Sequence, residues 1–416
     1  MNSQDEASLF RIRSFRHYWL ARIGSMSAYQ MQTVATGWTV YDLTGNPLDL
    51  GIVGLVQFLP RVLLTLWAGM VADRYDRRTI AFVCTGIQLV ACGLLAWWSS
   101  RGELDRVAVF VCVALIGAAR AFEMPTMQSL LPSLIPDRLF SKAIAMSTAA
   151  TQLAIIGGPA LAGLIFMMGV TSVYVVAMLL FAVASVLMFT MPQIVSVRKE
   201  SLAASQIGEN RSIWAGIQFI FANPVILGAV SLDLFAVLLG GATAMLPIFA
   251  KDILHAGPTG LGLLQAAPAL GALAMTLYLA RHPIRGQTGR ILFGSVAIFG
   301  VGTIVFALSS WFWLSLSALL VLGAADCISV VIRQGLVQLE TPDAMRGRVS
   351  AVNSVFIGAS NQLGEFESGC LAAWIGVIPS VVVGGVGTLG IVLLWIPLFP
   401  KLWNRATMHS STEQDQ

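Results

Sequence analysis

Twelve predominantly apolar segments of about twenty residues recur along the chain, separated by short polar or charged stretches. An α-helix rises ~1.5 Å per residue, so about 20 apolar residues are enough to cross the hydrocarbon of a bilayer. Each segment therefore predicts one membrane-spanning helix. The predicted spans lie near residues 18–42, 48–72, 79–99, 106–128, 142–167, 170–192, 223–249, 258–280, 289–308, 311–334, 348–373 and 376–399.

The longest polar connection, residues 193–222, falls between the sixth and seventh predicted spans. It separates a predicted six-helix bundle over 1–192 from a second one over 223–400, which is followed by a tail over 401–416. Within the connection, Ser212 to Ala222 has the mixed pattern of an amphipathic helix lying on the bilayer surface.

The two halves repeat one another at an offset of 206 residues. Gly117-Ala118-Ala119-Arg120 returns as Gly323-Ala324-Ala325-Asp326, and the offset holds without a gap as far as Gly163 and Gly369. A long repeat in an apolar chain is typical of secondary transporters, in which two bundles face each other across a substrate path. We therefore predict an all-α membrane protein with twelve transmembrane helices in two six-helix bundles related by pseudo-two-fold symmetry.

Composition and charge support the same class. Hydrophobic residues make up 56% of the chain, charged residues make up 11%, and the mean hydropathy is +0.78. With both termini placed in the cytoplasm, 19 Lys and Arg residues fall in cytoplasmic segments and 3 fall outside. This asymmetry fits the positive-inside rule and accounts for the net charge of +4 without a nucleic-acid partner.

No constellation for catalysis or metal binding can be assembled from the sequence. The five cysteines all fall inside predicted spans, and the four histidines are scattered over termini and loops. A phosphate-binding loop of the GxxxxGK[ST] type does not occur. We therefore expect no catalytic residues, metal or cofactor, and a protein that is not an enzyme.

A glycine, an acid and three arginines occur at the end of the second span and in the following loop. They are Gly69, Asp73, Arg74, Arg77 and Arg78. This pattern resembles the loop signature of the major facilitator superfamily. The resemblance implies that Asp73 faces the positive N-terminal end of the eleventh span, near Gly347, and helps to latch a cytoplasmic gate. The alternative is that the arginines only anchor the topology.

A second motif, formed by Gly158, Pro159 and Gly163 in the fifth span, is similar to the glycine-proline motif of the superfamily's antiporters and exporters. Close packing of small residues is the alternative. Nearly the whole chain resembles the exporter branch that includes the bacterial enterobactin exporter, through segments such as 15–22 and 340–348. The resemblance implies proton-driven export of a siderophore, drug or other amphipathic compound, and it leaves the cargo open.

Charged residues inside predicted spans are expensive unless they face the bundle interior or a partner, and eight of them are weighed separately. They are Arg61, Arg120, Glu123, Asp233, Asp326, Arg333, Glu365 and Glu367. Arg120 and Glu123 are three residues apart, so they are predicted to pair on one helical face, in a structural or a transport role. Asp326 and Arg333 are seven residues apart, about 10 Å by helical rise, so we expect their partners on other helices. The offset also aligns Arg120 with Asp326, and we hypothesise that these two charges neutralise each other across the bundles in one gating state.

Proton coupling requires a carboxylate whose protonation changes as its cavity alternates between water and a drier environment. Asp233 is the first candidate, and Glu365 follows because it shares a polar stripe with Ser354, Asn361 and Ser368 at helical spacing. Glu367 falls on the neighbouring stripe. Asp326 and Glu123 complete the set of candidates.

Candidates for lining a cargo path lie in the first two spans. They are Gln30, Gln32, Trp38 and Gln57, with Arg61 beside them. For each, a lipid-facing or packing position is an open alternative. Arg61 either binds an anionic group of the cargo or answers an acidic residue such as Asp233.

The leading functional prediction is a monomeric secondary exporter in the bacterial inner membrane that exchanges protons for a small amphipathic molecule by alternating access. An uptake symporter of the same fold is the close alternative. A lipid scramblase or an intramembrane enzyme is the alternative from another class.

Overall fold

The structure is a computed structural model, and it describes residues 9–192, 213–284, 286–342 and 345–406. The described residues are almost entirely helical, and they contain no strand. The predicted all-α membrane architecture is confirmed. The helices are α1 (Arg13–Thr44), α2 (Pro47–Arg74), α3 (Arg77–Arg101), α4 (Arg106–Leu134), α5 (Phe140–Ile165), α6 (Val170–Phe189), α7 (Ile213–Ala222), α8 (Pro224–Leu239), α9 (Gly257–Arg281), α10 (Thr288–Leu308), α11 (Phe312–Glu340), α12 (Arg346–Ile375), α13 (Val377–Leu398) and α14 (Pro400–Trp403).

Within the described residues, ten stretches are long and apolar enough to cross a membrane. The two predicted spans missing from this set correspond to α1 and α12. Both are long enough, but polar side chains such as Gln30 in α1 and Asn361 in α12 lower their hydropathy. The two long helices richest in polar residues are therefore the first of one predicted half and the fifth of the other.

The chain divides into two compact units. The first unit contains residues 1–200 and Ala256–Ala266, which include the first turns of α9, and the second contains 201–255 and 267–416. In the first unit, a core cluster that includes Phe15, Tyr18 and Met188 joins the ends of five of its helices.

The sequence repeat reappears in the packing of each unit. Gly117 of α4 lies so close to α2 that an added Cβ would strike the carbonyl oxygen of Gln57. Its repeat partner Gly323 of α11 lies equally close to the carbonyl oxygen of Pro268 in α9. Each half thus uses a glycine at the same repeat position to bring two backbones together, as small residues do in membrane bundles.

The seventh span was predicted as one continuous segment over 223–249, but in the structure its helix is interrupted. Helix α8 ends at Leu239, and after Gly240 and Gly241 the chain continues through short 3₁₀, α and π turns to Ile253. The break is fixed from outside, because the hydroxyl of Thr388 donates to the Ala236 carbonyl at 3.2 Å and Gly364 packs against backbone of α8. The Ala236 carbonyl also accepts from the backbone N–H of Gly240 at 2.9 Å, so the Thr388 hydroxyl adds a second donor at the end of α8.

Helix α7 agrees with the helix predicted within the connection. The comparison begins at residue 213, because residues 193–212 lie outside the described residues. Ile220 is buried in a cluster with Val349 and Val352 of α12, and Gly216 lies against the backbone of Arg348. One face of α7 therefore packs on the start of α12.

The segment after α13 was predicted to be a tail, yet its first residues join the core of the second unit. Leu402 of α14 is fully buried, and Trp403 meets Phe293 of α10 edge to face at 5.4 Å. The carbonyl of Arg405 accepts from the backbone N–H of Gly289 at 3.1 Å, and the Arg405 guanidinium pairs with Glu340. We call residues 400–406 the strap, because they tie the start of α10 to the end of α11.

Candidate functional site

Glu123 of α4 is the centre of a buried polar network in the first unit. Its carboxylate accepts from the hydroxyl of Ser25 in α1 and from Nε2 of Gln88 in α3, the latter at 2.8 Å. Nη1 of Arg120 lies 3.2 Å from the same carboxylate, which confirms the pairing predicted from the three-residue spacing. Glu123 is 3% exposed, so the network joins three helices through one desolvated acid.

The guanidinium of Arg120 is also fully engaged. It lies over the ring of Tyr29 at 4.2 Å from the centroid, and Nη2 lies 3.1 Å from Sδ of Met26. A buried ion pair is tolerated when additional bonds satisfy both partners, as they do here. The hydrogen-bonding side chains Ser25 and Gln88 were not identified from the sequence, where a serine or glutamine inside an apolar run carries no pairing signal.

The second unit contains a buried ion pair of a different kind. Asp233 of α8 pairs with Nη1 of Arg333 in α11, and the two residues are 7% and 2% exposed. The expectation that Arg333 finds its partner on another helix is confirmed. The particular pairing was not predicted, because one hundred residues separate the two, although both are isolated opposite charges in the middle of spans of one half.

Asp326 and Asp233 line the same narrow cavity in the second unit, together with Ser295 of α10 and Ser329 of α11. Arg120 and Asp326 belong to different units, so their pairing across the bundles stays a prediction. Arg61 lies in the first unit with an exposed side chain, and its Nη2 is 3.5 Å from Sδ of Met124.

Helix α12 carries the two remaining acids. Glu365 and Glu367 are both partly buried, and Oε2 of Glu367 is enclosed without a hydrogen-bond partner among the described residues. The polar stripes to which they belong differ in exposure only in part, since Ser368 on the Glu365 stripe is buried. Ser354 and Asn361 on the Glu365 stripe are exposed, whereas Asn353 and Ser360 on the Glu367 stripe are buried.

The loop motif lies at the end of α2 and the start of α3. Gly69 and Asp73 fall in the last turns of α2, and their side chains lie outside the described structure, so the latch to α12 stays a prediction. Arg74 is exposed.

The basic pair that follows has partners within the first unit. Nη1 of Arg77 donates to the carbonyl of Ser129 in α4 at 2.7 Å, and Nη1 of Arg78 donates to the carbonyl of Met191 after α6 at 2.6 Å. Arg78 also pairs with Asp76 at 2.8 Å. Arginines commonly satisfy carbonyls at helix ends, so this pair ties the start of α3 to the ends of two neighbours.

The glycine-proline motif lies at two close helix contacts of the first unit. An added Cβ on Gly158 would lie 2.7 Å from Cβ of Gln30 in α1, and one on Gly163 would lie 3.1 Å from Cα of Gly262 in α9. Gly262 in turn faces the carbonyl oxygen of Pro159. The motif therefore brings α5 close to both α1 and the first turns of α9.

The predicted cargo-lining residues lie at contacts inside the first unit. Gln32 is 1% exposed and donates to the hydroxyl of Thr36 at 2.8 Å. The ring of Trp38 lies 5.7 Å from that of Phe166, and the backbone of Gln57 meets Gly117. The assignment of these residues to a cargo path stays a prediction, and so does the packing alternative.

A family model and several known proteins match this chain along most of its length. A family model described as "Transmembrane secretion effector" matches residues 6–415. The chain is 25% identical over 364 residues to the uncharacterized MFS-type transporter YfiS of Bacillus subtilis, covering 83% of each protein. It is 23% identical to a Na(+), Li(+), K(+)/H(+) antiporter of Planococcus maritimus, covering 83% of the chain and 88% of that protein.

A third relative is the enterobactin exporter EntS of Citrobacter koseri, which is 23% identical over 94% of the chain and 92% of its own length. Among solved structures, a mutant of the nucleoside transporter NupG superposes with a TM-score of 0.72 at 15% identity, covering 93% of the chain and 100% of NupG. At this identity the likeness shows the fold alone.

Proposed function

Because the chain belongs to the transmembrane secretion effector family of the major facilitator superfamily, and is therefore a membrane transporter and not an enzyme, we propose that it exports a small amphipathic compound in exchange for protons. Alternation between two states, each open to one side of the bilayer, would carry the cargo across.

One observation carries the proposal of ion coupling: the buried Asp233–Arg333 pair beside a cavity that also contains Asp326. An acid and an arginine kept inside hydrocarbon are costly, and in membrane proteins such groups mark ion and substrate pathways. A chain that only packed helices would gain nothing from an additional acid next to this pair.

The direction of transport rests on two supports. Gly158, Pro159 and Gly163 of α5 form a motif similar to the glycine-proline motif of the superfamily's antiporters and exporters, and their close helix contacts are those of small-residue packing as well. Two of the relatives are named an antiporter and an exporter. We therefore propose export of an amphipathic compound, with the siderophore class as one candidate cargo.

We place both termini in the cytoplasm and the protein in the bacterial inner membrane. The support is the distribution of Lys and Arg, 19 on the proposed inner side against 3 on the outer side. Under this orientation Arg77 and Arg78 lie at the cytoplasmic end of the first unit, close to where the proposed latch of Asp73 would act.

Everted membrane vesicles test the proposal directly. Vesicles containing the chain are energised to an acidic interior, and ethidium or an iron-free catecholate siderophore is added while a pH-sensitive dye reports the gradient. We expect the probe to accumulate inside and the gradient to fall, with neither change in vesicles lacking the chain.

Intact cells separate export from uptake. Cells expressing the chain should hold less of the transported probe than cells without it, whereas an uptake symporter would make them hold more. If neither probe moves in vesicles and the gradient is unaffected by both, proton-coupled export of this cargo class is wrong.

A further inference from the structure

The narrow cavity of the second unit lies between three helices. Its lining comes from α8, α10 and α11, and the polar members are Asp233, Ser295, Asp326 and Ser329. It has room for about one water molecule, which is far too little for an amphipathic organic compound. Any guest of this cavity is therefore the size of a water molecule or a small ion.

The two acids of the cavity differ in their partners. Asp233 is neutralised by Arg333, which is itself 2% exposed. Within the described part of the chain, Asp326 has no cationic side chain within ion-pair distance. The elements packed around it add no other charge to the cavity, since α10 contributes Ser295, Val296 and Phe299. The group of Asp233, Asp326 and Arg333, when all are ionised, thus carries a net charge of −1.

No described residue donates a hydrogen bond to the hydroxyl oxygen atoms of the two cavity serines, Ser295 and Ser329. Ser329 is 3% exposed, and its Oγ has no hydrogen-bond partner among the described residues. Ser295 donates its proton to the carbonyl of Leu292 at 2.8 Å, so its oxygen remains available only as an acceptor. Buried polar atoms without partners are costly, and a guest that donates hydrogen bonds would satisfy several of them at once.

From this arrangement we infer that the cavity binds a single monovalent cation during transport, as a proton held on Asp326 with a water molecule, and that Ser329 orients the protonated carboxyl group. One positive charge neutralises the net charge of the cavity. The Asp233–Arg333 ion pair forms a fixed side of the cavity. Asp326 therefore differs from the other intramembrane acids in lying beside a fixed ion pair. This inference rests on the proposed ion coupling and names its site.

Infrared difference spectroscopy of the purified full chain tests the site without any cargo. The C=O stretch of a protonated carboxyl group is recorded as pH is changed between mildly alkaline and mildly acidic values, in choline chloride. We expect one component of the difference spectrum to be absent from Asp326→Asn and retained in Asp326→Glu. Asp49→Asn is the matched control, because Asp49 is a buried, ion-paired acid of the first unit.

The Ser329→Ala variant tests the proposed role of Ser329 through the infrared frequency of Asp326, which would not change if the serine only packed between helices. Removal of the hydroxyl should shift the frequency of the Asp326 component, because the hydrogen bond that we propose between Ser329 and the protonated carboxyl group can no longer form. This variant keeps the test decisive should Asp326→Asn fail to yield a monodisperse protein.

Replacing choline chloride with NaCl, LiCl or KCl distinguishes the proton from an alkali cation. Spectra that are equal in all salts identify the proton, and a carboxylate band of Asp326 that changes with one salt at fixed pH identifies that cation in its place. A spectrum that is the same in the wild type and Asp326→Asn, at every pH and in every salt, overturns the site. Because no cargo takes part, that result would leave the vesicle assay to decide the proposed export separately.

Discussion

The buried acids of the two units are held in opposite ways. In the first unit, Glu123 pairs with Arg120 on its own helix and receives hydrogen bonds from two further helices. In the second unit, Asp233 of α8 pairs with Arg333 of α11 beside a cavity that contains another acid. One acid accepts from three side chains, and the other stands beside a cavity that contains a further acid.

This difference indicates a division of roles between halves that share one repeat. A carboxylate that already accepts from three side chains offers little room for a further guest. A pair that bridges two helices beside a cavity has space for a proton or a water molecule to arrive. We therefore expect the first unit to act as a rigid scaffold and the second to carry the ion.

The largest effect is expected when one partner of the Asp233–Arg333 pair of the second unit is removed. Arg333→Met leaves Asp233 buried without a countercharge and should cost about 3–5 kcal/mol of stability. Thermal unfolding of the purified protein measures the effect. The double variant Asp233→Leu with Arg333→Met should recover much of the stability, and addition of Asp326→Asn to it should abolish proton-coupled export; a triple variant that keeps coupling would contradict the role given to this cavity.

Glu123→Gln sharpens the comparison from the other side. The amide group of the new side chain places N–H donors where Gln88 and Arg120 already donate, so stability should fall by about 1–3 kcal/mol. The pH dependence of export should nevertheless stay that of the wild type, because Glu123 is assigned a structural role. Loss of proton coupling in a well-folded Glu123→Gln protein would indicate that the proton is bound in the first unit instead.

Gly117→Ala and Gly323→Ala test what the halves have in common. Each added methyl group would strike a carbonyl oxygen of a neighbouring helix, so both variants should lose about 1–3 kcal/mol through overpacking. Gly86→Ala is the matched control, since an added Cβ there meets nothing within 4 Å. Unequal losses for the two repeat positions, measured by thermal unfolding, would show that the scaffolds are less alike than their backbone contacts indicate.

The smallest expected effect concerns the basic pair after α2. Arg78→Gln should lose about 0.5–1.5 kcal/mol, because its hydrogen bond to the Met191 carbonyl is lost while the fold around it remains. Unfolding measurements and the vesicle assay together check this. A large fall in export with unchanged stability would instead favour a direct role of Arg78 in gating.

The parts of the molecule that could be predicted from sequence are those governed by local pattern. Apolar runs predicted the long helices, ten of which are apolar enough to cross a membrane among the described residues. The spacing of Arg120 and Glu123 predicted their pairing, because helical periodicity brings neighbours three apart onto one face. The pairing of Asp233 with Arg333 depends on how α8 and α11 pack, which no local pattern encodes.

The break after Leu239 was missed for a similar reason. Gly240 and Gly241 are ordinary residues of an apolar run, and the contacts that fix the break come from Gly364 and Thr388, more than one hundred residues away. The proposed latch of Asp73 stays a prediction, and so does the assignment of the cargo-lining residues.

The strap has a consequence for the order in which the protein is made. The start of α10 and the end of α11 are tied together by residues 400–406, which leave the ribosome only after α13 has been synthesised. Insertion of those helices into the bilayer must therefore precede the closure of their ends. A reporter protein fused directly after Leu398 would prevent that last step of biogenesis, whereas one fused beyond Ala406 would permit it.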